Sequence, residues 1–120
     1  MKTKTVIFIA VLVLAPLAAF SGDFPIGTMI LKSESTPLSF TFKSDNTYVV
    51  ARNEQLMVEG VWEVIVDTLI INDKTGDKSC PAPGKYLWGY KEKELTFKLL
   101  SDECTGRANA MTSGAWMLKE

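Results

Sequence analysis

The sequence predicts an all-β protein folded as an eight-stranded antiparallel up-and-down barrel. After residue 21, short runs that alternate apolar and polar residues recur between turn signals, and no useful helical periodicity interrupts them. The apolar faces predicted for one hairpin agree with those of the next. Closing eight such strands also removes exposed edges. A two-sheet β-sandwich is the alternative, because the sequence does not show that the first strand meets the last.

Alternating runs predict the first five strands. Residues 24–32, 38–42 and 47–50 are the first three, and residues 56–64 and 69–71 are the next two. Turns at residues 44–46, near Asn53 and near Asp67 join strands two to five. The expected cross-strand pairs, which share one face, are Phe42–Tyr48, Phe40–Val50, Val50–Val58, Tyr48–Gly60, Val64–Leu69 and Trp62–Ile71.

A hairpin bracketed by the two cysteines predicts strands six and seven. Its strands cover residues 84–90 and 94–100, and a long loop over residues 72–83 precedes it. With Lys91 opposite Glu94, the expected pairs are Tyr90–Leu95, Trp88–Phe97 and Tyr86–Leu99. This register brings Cys80 and Cys104 within about one residue of facing each other, which predicts a disulfide bond. In the loop-entropy model, such a bond adds about 3–3.5 kcal/mol to the free energy of unfolding.

The N-terminal residues 1–21 predict a secretory signal peptide. Lys2 and Lys4 precede an apolar run over residues 5–20, and residues 19–21 offer a small-x-small cleavage site. That run is shorter than the roughly 20 residues that span a bilayer. The mature protein is therefore expected to be secreted or periplasmic, without membrane attachment.

Residues 22–120 are expected to form a single barrel domain. Within it, residues 105–107 turn the chain, residues 108–112 predict an irregular or short helical turn, and residues 114–119 predict the eighth strand. Without the two lysines of the signal peptide, 11 of the 13 basic residues remain against 14 acidic ones. This mild acidity does not favour nucleic acid as a partner.

The sequence favours a non-enzymatic protein with no metal and no cofactor. It has no histidine, so His-containing triads and most zinc or iron sites are excluded. Asp102 and Glu103 are adjacent and would point to opposite faces of a strand, so they are interpreted as residues of a solvated turn. Residues 73–77 lack the ligand spacing of a calcium loop and are likewise interpreted as turn residues.

The inward face of the predicted barrel is rich in Tyr and Trp as well as aliphatic residues. Such a face forms either a filled core or the wall of a cavity with polar anchors, and both interpretations stay open. The inward aliphatic residues are Leu38, Val50, Val58, Val64, Leu69, Ile71, Leu95 and Leu99. The aromatic candidates for ligand contact are Phe40, Phe42, Tyr48, Trp62, Tyr86, Trp88, Tyr90 and Phe97.

Three segments resemble small secreted lipocalin-like proteins. These are Gly60-Val61-Trp62 followed by residues 67–71, the hairpin over residues 40–48, and the closing segment from Cys80 to Trp116 with its Tyr86-x-Trp88 and Cys104-x-Gly106-Arg107 spacing. The resemblance implies a calycin-type barrel that binds a small apolar ligand. It also gives Arg107 a role capping Trp62 or Trp116 by a cation–π contact, with a surface position beside a turn as the alternative.

Two functions are therefore expected as alternatives. The first is a lipocalin-like barrel that holds a small hydrophobic molecule between its aromatic walls. The second is an interaction module, such as an inhibitor of an extracellular enzyme. It would contact that protein through the loops at residues 72–83 and 102–113, which the disulfide would hold together.

Overall fold

The computed structural model describes residues 23–31 and 36–120, so the signal peptide predicted over residues 1–21 lies outside the described residues. Eight strands and one helix make up this part of the chain. The strands are β1 (Gly27–Leu31), β2 (Leu38–Phe42), β3 (Thr47–Arg52), β4 (Gln55–Ile65), β5 (Thr68–Thr75), β6 (Gly84–Lys91), β7 (Glu94–Asp102) and β8 (Trp116–Leu118). The helix, α1, covers Thr105–Thr112.

The eight strands form a closed antiparallel barrel in sequence order. Each strand pairs with its neighbour along the chain, and β1 also pairs with β8 through Leu31 opposite Trp116 and Met29 opposite Leu118. This last pairing closes the sheet, so the predicted up-and-down barrel is confirmed and the two-sheet sandwich is excluded. Within the described ranges, no helix is long and apolar enough to cross a membrane.

The predicted strand registers are confirmed in all four hairpins. In the β2–β3 and β3–β4 hairpins, Phe42 lies opposite Tyr48, and Tyr48 lies opposite Gly60. The remaining predicted pairs also occur: Phe40–Val50, Val50–Val58, Val64–Leu69, Trp62–Ile71, Tyr90–Leu95, Trp88–Phe97 and Tyr86–Leu99. Alternation and turn length together specify this register, because a slip of one residue would move every apolar side chain to the other face.

Several predicted details differ in the structure: β1 begins at Gly27 rather than at residue 24, and α1 begins at Thr105, where a turn was predicted. Strand β5 continues to Thr75, so the loop predicted over residues 72–83 is shorter at its start. Leu99 was predicted to face inward, but its side chain is half exposed. The register shifts beside it, because Tyr86 lies opposite Leu99 whereas Lys85 lies opposite Ser101. The extra residue forms a β-bulge, which redirects the strand locally.

Aromatic side chains fill the barrel at the end where the β2–β3, β4–β5 and β6–β7 turns lie. Phe24 precedes β1 and packs there, with its ring centroid 4.7 Å from Phe42, 5.2 Å from Trp62 and 5.0 Å from Trp88. We call this the closed end. Helix α1 covers the opposite end, where Ala108 and Met111 are buried.

Candidate ligand cavity

A cavity of about 300 Å³ lies inside the barrel on the side of α1. Strands β2 to β5, helix α1 and β8 surround it. Its apolar wall is formed mainly by Phe40, Val50, Val58, Ile71, Met111 and Trp116. This volume lies at the lower limit of typical small-molecule pockets, which are about 300–1,000 Å³ and mostly apolar.

Helix α1 supplies one side of this cavity because of its periodicity. Arg107, Ala110 and Met111 are spaced three and four residues apart, so they share one helix face, and all three line the cavity. Trp116, at the start of β8, donates from its indole Nε1 to the carbonyl of Met111 at 3.2 Å. This bond fixes the tryptophan ring against the helix and the cavity wall.

The entrance of the cavity carries two cationic residues. Arg52, Met57 and Lys78 line both the cavity and a shallow outer groove of about 400 Å³. The backbone N–H of Lys78 donates to the carbonyl of Met57 at 3.3 Å, and Nη1 of Arg52 donates to the carbonyl of Thr36 at 2.8 Å. Asp77 also lines the groove, which therefore leads into the apolar cavity past charged residues of both signs.

A buried ionic network forms the polar side of the cavity, with Arg107 at its centre. Its Nε and Nη2 donate to the two oxygens of Asp102, each at 2.8 Å, and Nη2 also donates to the carbonyl of Ala82 at 2.5 Å. Its Nη1 lies 3.2 Å from Oδ2 of Asp73 in an ion pair without a directed hydrogen bond. The Asp102 and Asp73 side chains are 0% and 4% exposed, so this network is shielded from water.

Each carboxylate of the network also accepts two hydrogen bonds from groups other than Arg107. Tyr48 donates its hydroxyl to Asp73 at 2.5 Å, and the backbone N–H of Cys80 donates to the same carboxylate at 2.9 Å. On the other side, a tyrosine hydroxyl, that of Tyr86, donates to Asp102. Asp102 also accepts from the backbone N–H of Cys104 at 2.8 Å.

The predicted disulfide between the two cysteines is confirmed, with their Cα atoms 6.4 Å apart. Cys80 and Cys104 are the residues whose N–H groups bind the two carboxylates of the network. The disulfide thus joins the β5–β6 loop to the residue that precedes α1, beside the buried charges. The disulfide and the ion pairs of Arg107 together hold α1 over the end of the barrel.

Two glycines leave room for these buried side chains. Gly60 lies opposite Tyr48 on one side and opposite Asp73 on the other, and a Cβ at this position would overlap the backbone carbonyl of Asn72 and the phenol of Tyr48. Gly84 lies opposite Asp102, and a Cβ there would press on that carboxylate. Glycine at these strand positions therefore permits close approach of a polar side chain rather than a turn.

Asp102 and Tyr48 have pKa values that are shifted away from neutral pH. Burial alone would raise the pKa of Asp102, but hydrogen bonds from Arg107 and Tyr86 outweigh it and lower that pKa. Burial first, and then the hydrogen bond to Asp73, raises the pKa of Tyr48 far above its usual range. Asp102 is therefore held ionised and the phenol of Tyr48 protonated. Because these two pKa values are moved away from neutrality, the two groups are suited to holding structure and charge rather than to moving protons.

The structure divides the predicted ligand-contact residues between the cavity and the packed core. Phe40 and Tyr48 line the cavity. The others lie in the packed part of the barrel: Phe42, Tyr86 and Phe97 are buried, whereas Trp62, Trp88 and Tyr90 are partly buried and pack against the core. The two interpretations of the inward face, a filled core and a cavity wall, therefore each describe part of the barrel.

Arg107 has an environment that neither predicted role describes. Its side chain is only 12% exposed and is bonded to carboxylates, so it is not a surface residue beside a turn. Its partners are Asp102, Asp73 and the Ala82 carbonyl, and no contact over Trp62 or Trp116 is seen in the described part of the chain.

The interpretation of Asp73 and Asp102 as solvated turn residues is wrong. Both lie at the ends of strands and face the interior, where Arg107 compensates their charge. A signal for Asp73 is present in the sequence: continuing the predicted Trp62–Ile71 register by two residues places Gly60 opposite Asp73. The gap beside Gly60 is where Tyr48 and Asp73 meet.

Comparisons with protein-family models, with curated proteins and with solved structures find no match for this chain. The functional argument therefore rests on the cavity and on its chemistry.

Proposed function

We propose that this protein is an exported, non-enzymatic barrel that binds a small hydrophobic molecule in the cavity beside α1. The observation that carries the proposal is the 300 Å³ apolar cavity in a barrel that is otherwise filled by its own side chains. Small barrels are commonly packed throughout. An apolar space with a charged rim and an adjoining groove therefore fits a binding site.

Export is the second part of the proposal. The Cys80–Cys104 disulfide supports it, because such bonds persist in oxidising compartments. Signal cleavage after residue 21 is tested by the N-terminal sequence of the protein recovered outside the cytoplasm. Recovery of the full chain only from the cytoplasm would contradict this part.

The alternative, a module that binds an extracellular protein through disulfide-held loops, has less support. Lys78, from the β5–β6 loop, and Gly106, from α1, both border the cavity. The segments that were expected to form a protein-binding edge thus contribute to the cavity and its entrance. We therefore propose the small molecule as the ligand.

The test uses a neutral ligand, decan-1-ol, in isothermal titration calorimetry. We expect saturable binding at one site, with the negative heat-capacity change that accompanies apolar burial. The blocking variant is Ala110→Trp, because Ala110 lines the cavity from α1 and an indole there fills the space. It should abolish binding while the protein stays folded, as judged by urea denaturation. Binding that survives this substitution, or no binding by the native protein, would overturn the proposal.

A further inference from the structure

One nitrogen of the Arg107 guanidinium has N–H groups without an acceptor among the described residues. A guanidinium carries one N–H on Nε and two on each Nη. The N–H of Nε donates to Asp102, and the two on Nη2 donate to Asp102 and to the carbonyl of Ala82. Nη1 is buried and has no hydrogen-bond partner in this part of the chain. Its 3.2 Å approach to Asp73 is an ion pair without a directed hydrogen bond.

The unpaired nitrogen lies on the cavity side of Arg107. Arg107 and Asp73, the ion-pair partner of Nη1, both line the cavity. Asp102 and Ala82, which accept from the other two nitrogens, are not among the described residues that line it. Nη1 is therefore the part of the guanidinium that is directed towards the cavity. The other buried nitrogen without a partner in the described ranges, Nε1 of Trp88, belongs to a side chain of the packed core.

The acidic groups beside this nitrogen are already bonded. Asp73 accepts from the hydroxyl of Tyr48 and from the backbone N–H of Cys80, and Asp102 holds the other side of the guanidinium. Since two acidic residues surround one guanidinium, the positive charge of Arg107 is compensated, and the site does not require an anion. What remains is a donor that faces an apolar cavity. A buried donor without an acceptor is unfavourable, and an acceptor on a ligand removes that cost.

This arrangement suits a ligand with an apolar chain and one neutral acceptor. We propose that the ligand is a small neutral molecule such as a ketone, whose oxygen accepts a hydrogen bond from Nη1 of Arg107. Its chain lies against the apolar wall that includes Phe40, Ile71 and Trp116. The inference rests on the proposed function, and it adds the chemical class of the ligand and the residue that recognises it.

The cavity volume sets the size of the probe. A water molecule occupies about 30 Å³ of liquid, and a methylene group is of similar size, so 300 Å³ holds about ten such groups. Nonan-2-one, with nine carbons and one oxygen, matches this volume. The matched probe without an acceptor is 2-methylnon-1-ene, which has the same shape but a methylene group in place of the carbonyl oxygen.

Infrared spectroscopy of bound nonan-2-one tests the hydrogen bond directly. The protein is kept in enough excess, as judged by calorimetry, that all of the ketone is bound. A hydrogen bond draws electron density from the carbonyl bond, so the stretching band of the bound ketone should lie at lower frequency than in hexane. A band at the hexane position would overturn the inference, because the oxygen would then lie in a purely apolar part of the cavity.

Calorimetric titration compares the ketone with its isostere. Each affinity is divided by the hexadecane–water partition coefficient of that probe, which removes the difference in their hydration. After this correction nonan-2-one should bind about tenfold more tightly than 2-methylnon-1-ene, because hydrogen bonds from charged donors are among the stronger ones. Equal corrected affinities would overturn the inference.

Two substitutions identify the donor. In Arg107→Met the band of the bound ketone should return to the hexane position, whereas Lys74→Met, which removes an exposed cation of β5 that does not line the cavity, should keep the lower frequency. Urea denaturation shows whether Arg107→Met is folded; if it is not, the band position and the isostere comparison in the native protein decide. If Tyr48→Phe rather than Arg107→Met restores the hexane position, the donor is Tyr48, and the assignment to Arg107 is overturned.

The outcomes separate the two proposals. If neither nonan-2-one nor 2-methylnon-1-ene binds, the proposed function fails and this inference fails with it. If both bind with equal corrected affinities and the carbonyl band lies at the hexane position, the cavity still takes an apolar ligand, but the acceptor on that ligand is overturned.

Discussion

Replacing Arg107 with methionine should remove about 3–5 kcal/mol from the free energy of unfolding. The guanidinium makes two 2.8 Å hydrogen bonds to Asp102 and lies 3.2 Å from Asp73. Both carboxylates are almost completely buried, so the variant leaves two negative charges without a cation in a poorly hydrated site. Breaking a buried pair by removing one partner is strongly destabilising for this reason. The expected loss is a large share of the roughly 5–15 kcal/mol that typically stabilises a domain.

The measurement is urea denaturation followed by tryptophan fluorescence at several pH values. In the native protein the pKa of Asp102 is lowered from its ordinary value of 3.8, because the hydrogen bonds of the network outweigh burial. A lowered pKa contributes stability that is present above the unfolded pKa and is lost as the pH falls through the folded one. Without the guanidinium, burial favours the protonated form of Asp102. The stability difference between native protein and variant should therefore be largest near neutral pH and shrink below about pH 4.

Two variants control this experiment. Arg107→Lys keeps a positive charge but loses the paired hydrogen bonds to Asp102, so its stability should fall between those of the native protein and Arg107→Met. Lys74→Met removes an exposed cation of β5 and should change the stability by no more than about 0.5 kcal/mol. A loss below about 1 kcal/mol for Arg107→Met, or a loss that does not vary with pH, would refute the role given to the network.

Three further predictions concern the backbone gaps, the buried phenols and the crosslink. Gly60→Ala should destabilise the protein by about 1–3 kcal/mol because its Cβ would overlap the backbone carbonyl of Asn72 and the phenol of Tyr48. Gly106→Ala, with no atom within 4 Å of its Cβ, should stabilise α1 by up to about 1 kcal/mol; similar denaturation midpoints for both alanine variants would contradict this account. Up to about pH 11, while the fold persists, the native protein and Tyr48→Phe should show the same tyrosinate absorbance. The reason is that burial raises the pKa of the Tyr48 phenol. Ionisation of Tyr48 below that pH would count against its hydrogen bond to the network. Replacing Cys80 and Cys104 together with serine should cost about 3.5 kcal/mol by the loop-entropy model for a separation of 24 residues, and an unchanged urea midpoint would show that the crosslink contributes nothing.

The strand pairing could be predicted because it depends on local information. Each hairpin combines a short turn with alternating residues, so pairs such as Trp88–Phe97 follow from counting outward from the turn. Closure of the barrel was a weaker expectation, because the pairing of β1 with β8 joins the two ends of the domain. No turn specifies such a contact.

Helix α1 and the ends of two strands were harder to predict for physical reasons. Gly106 near the helix start is a typical turn residue, so the sequence predicted a helical turn only from residue 108. The polar end of β5, through Thr75, has the composition of a loop, and the charge of its inward carboxylate, Asp73, is compensated by the guanidinium of Arg107, far along the chain. Counting outward from the β6–β7 turn does not give the cross-strand partner of Asp102, because the bulge beside Tyr86 shifts its pairing to Gly84.

The size of the cavity depends on the distance between α1 and the strands, which the strand register does not predict. The predicted inward face included Phe40 and Tyr48, which line the cavity, but also Phe42 and Phe97, which fill the core. Which inward residues meet open space depends on how far α1 lies from the strands. The volume therefore had to be read from the structure.

The most direct test of the central claim is a crystal structure of the protein grown with ω-bromodecanoate, with the bromine located by anomalous scattering. A bromine inside the barrel between Phe40, Ile71 and Trp116 is the expected result. A bromine found only in the outer groove or on the exposed Leu99–Leu100 surface would contradict the claim that the cavity is the ligand site.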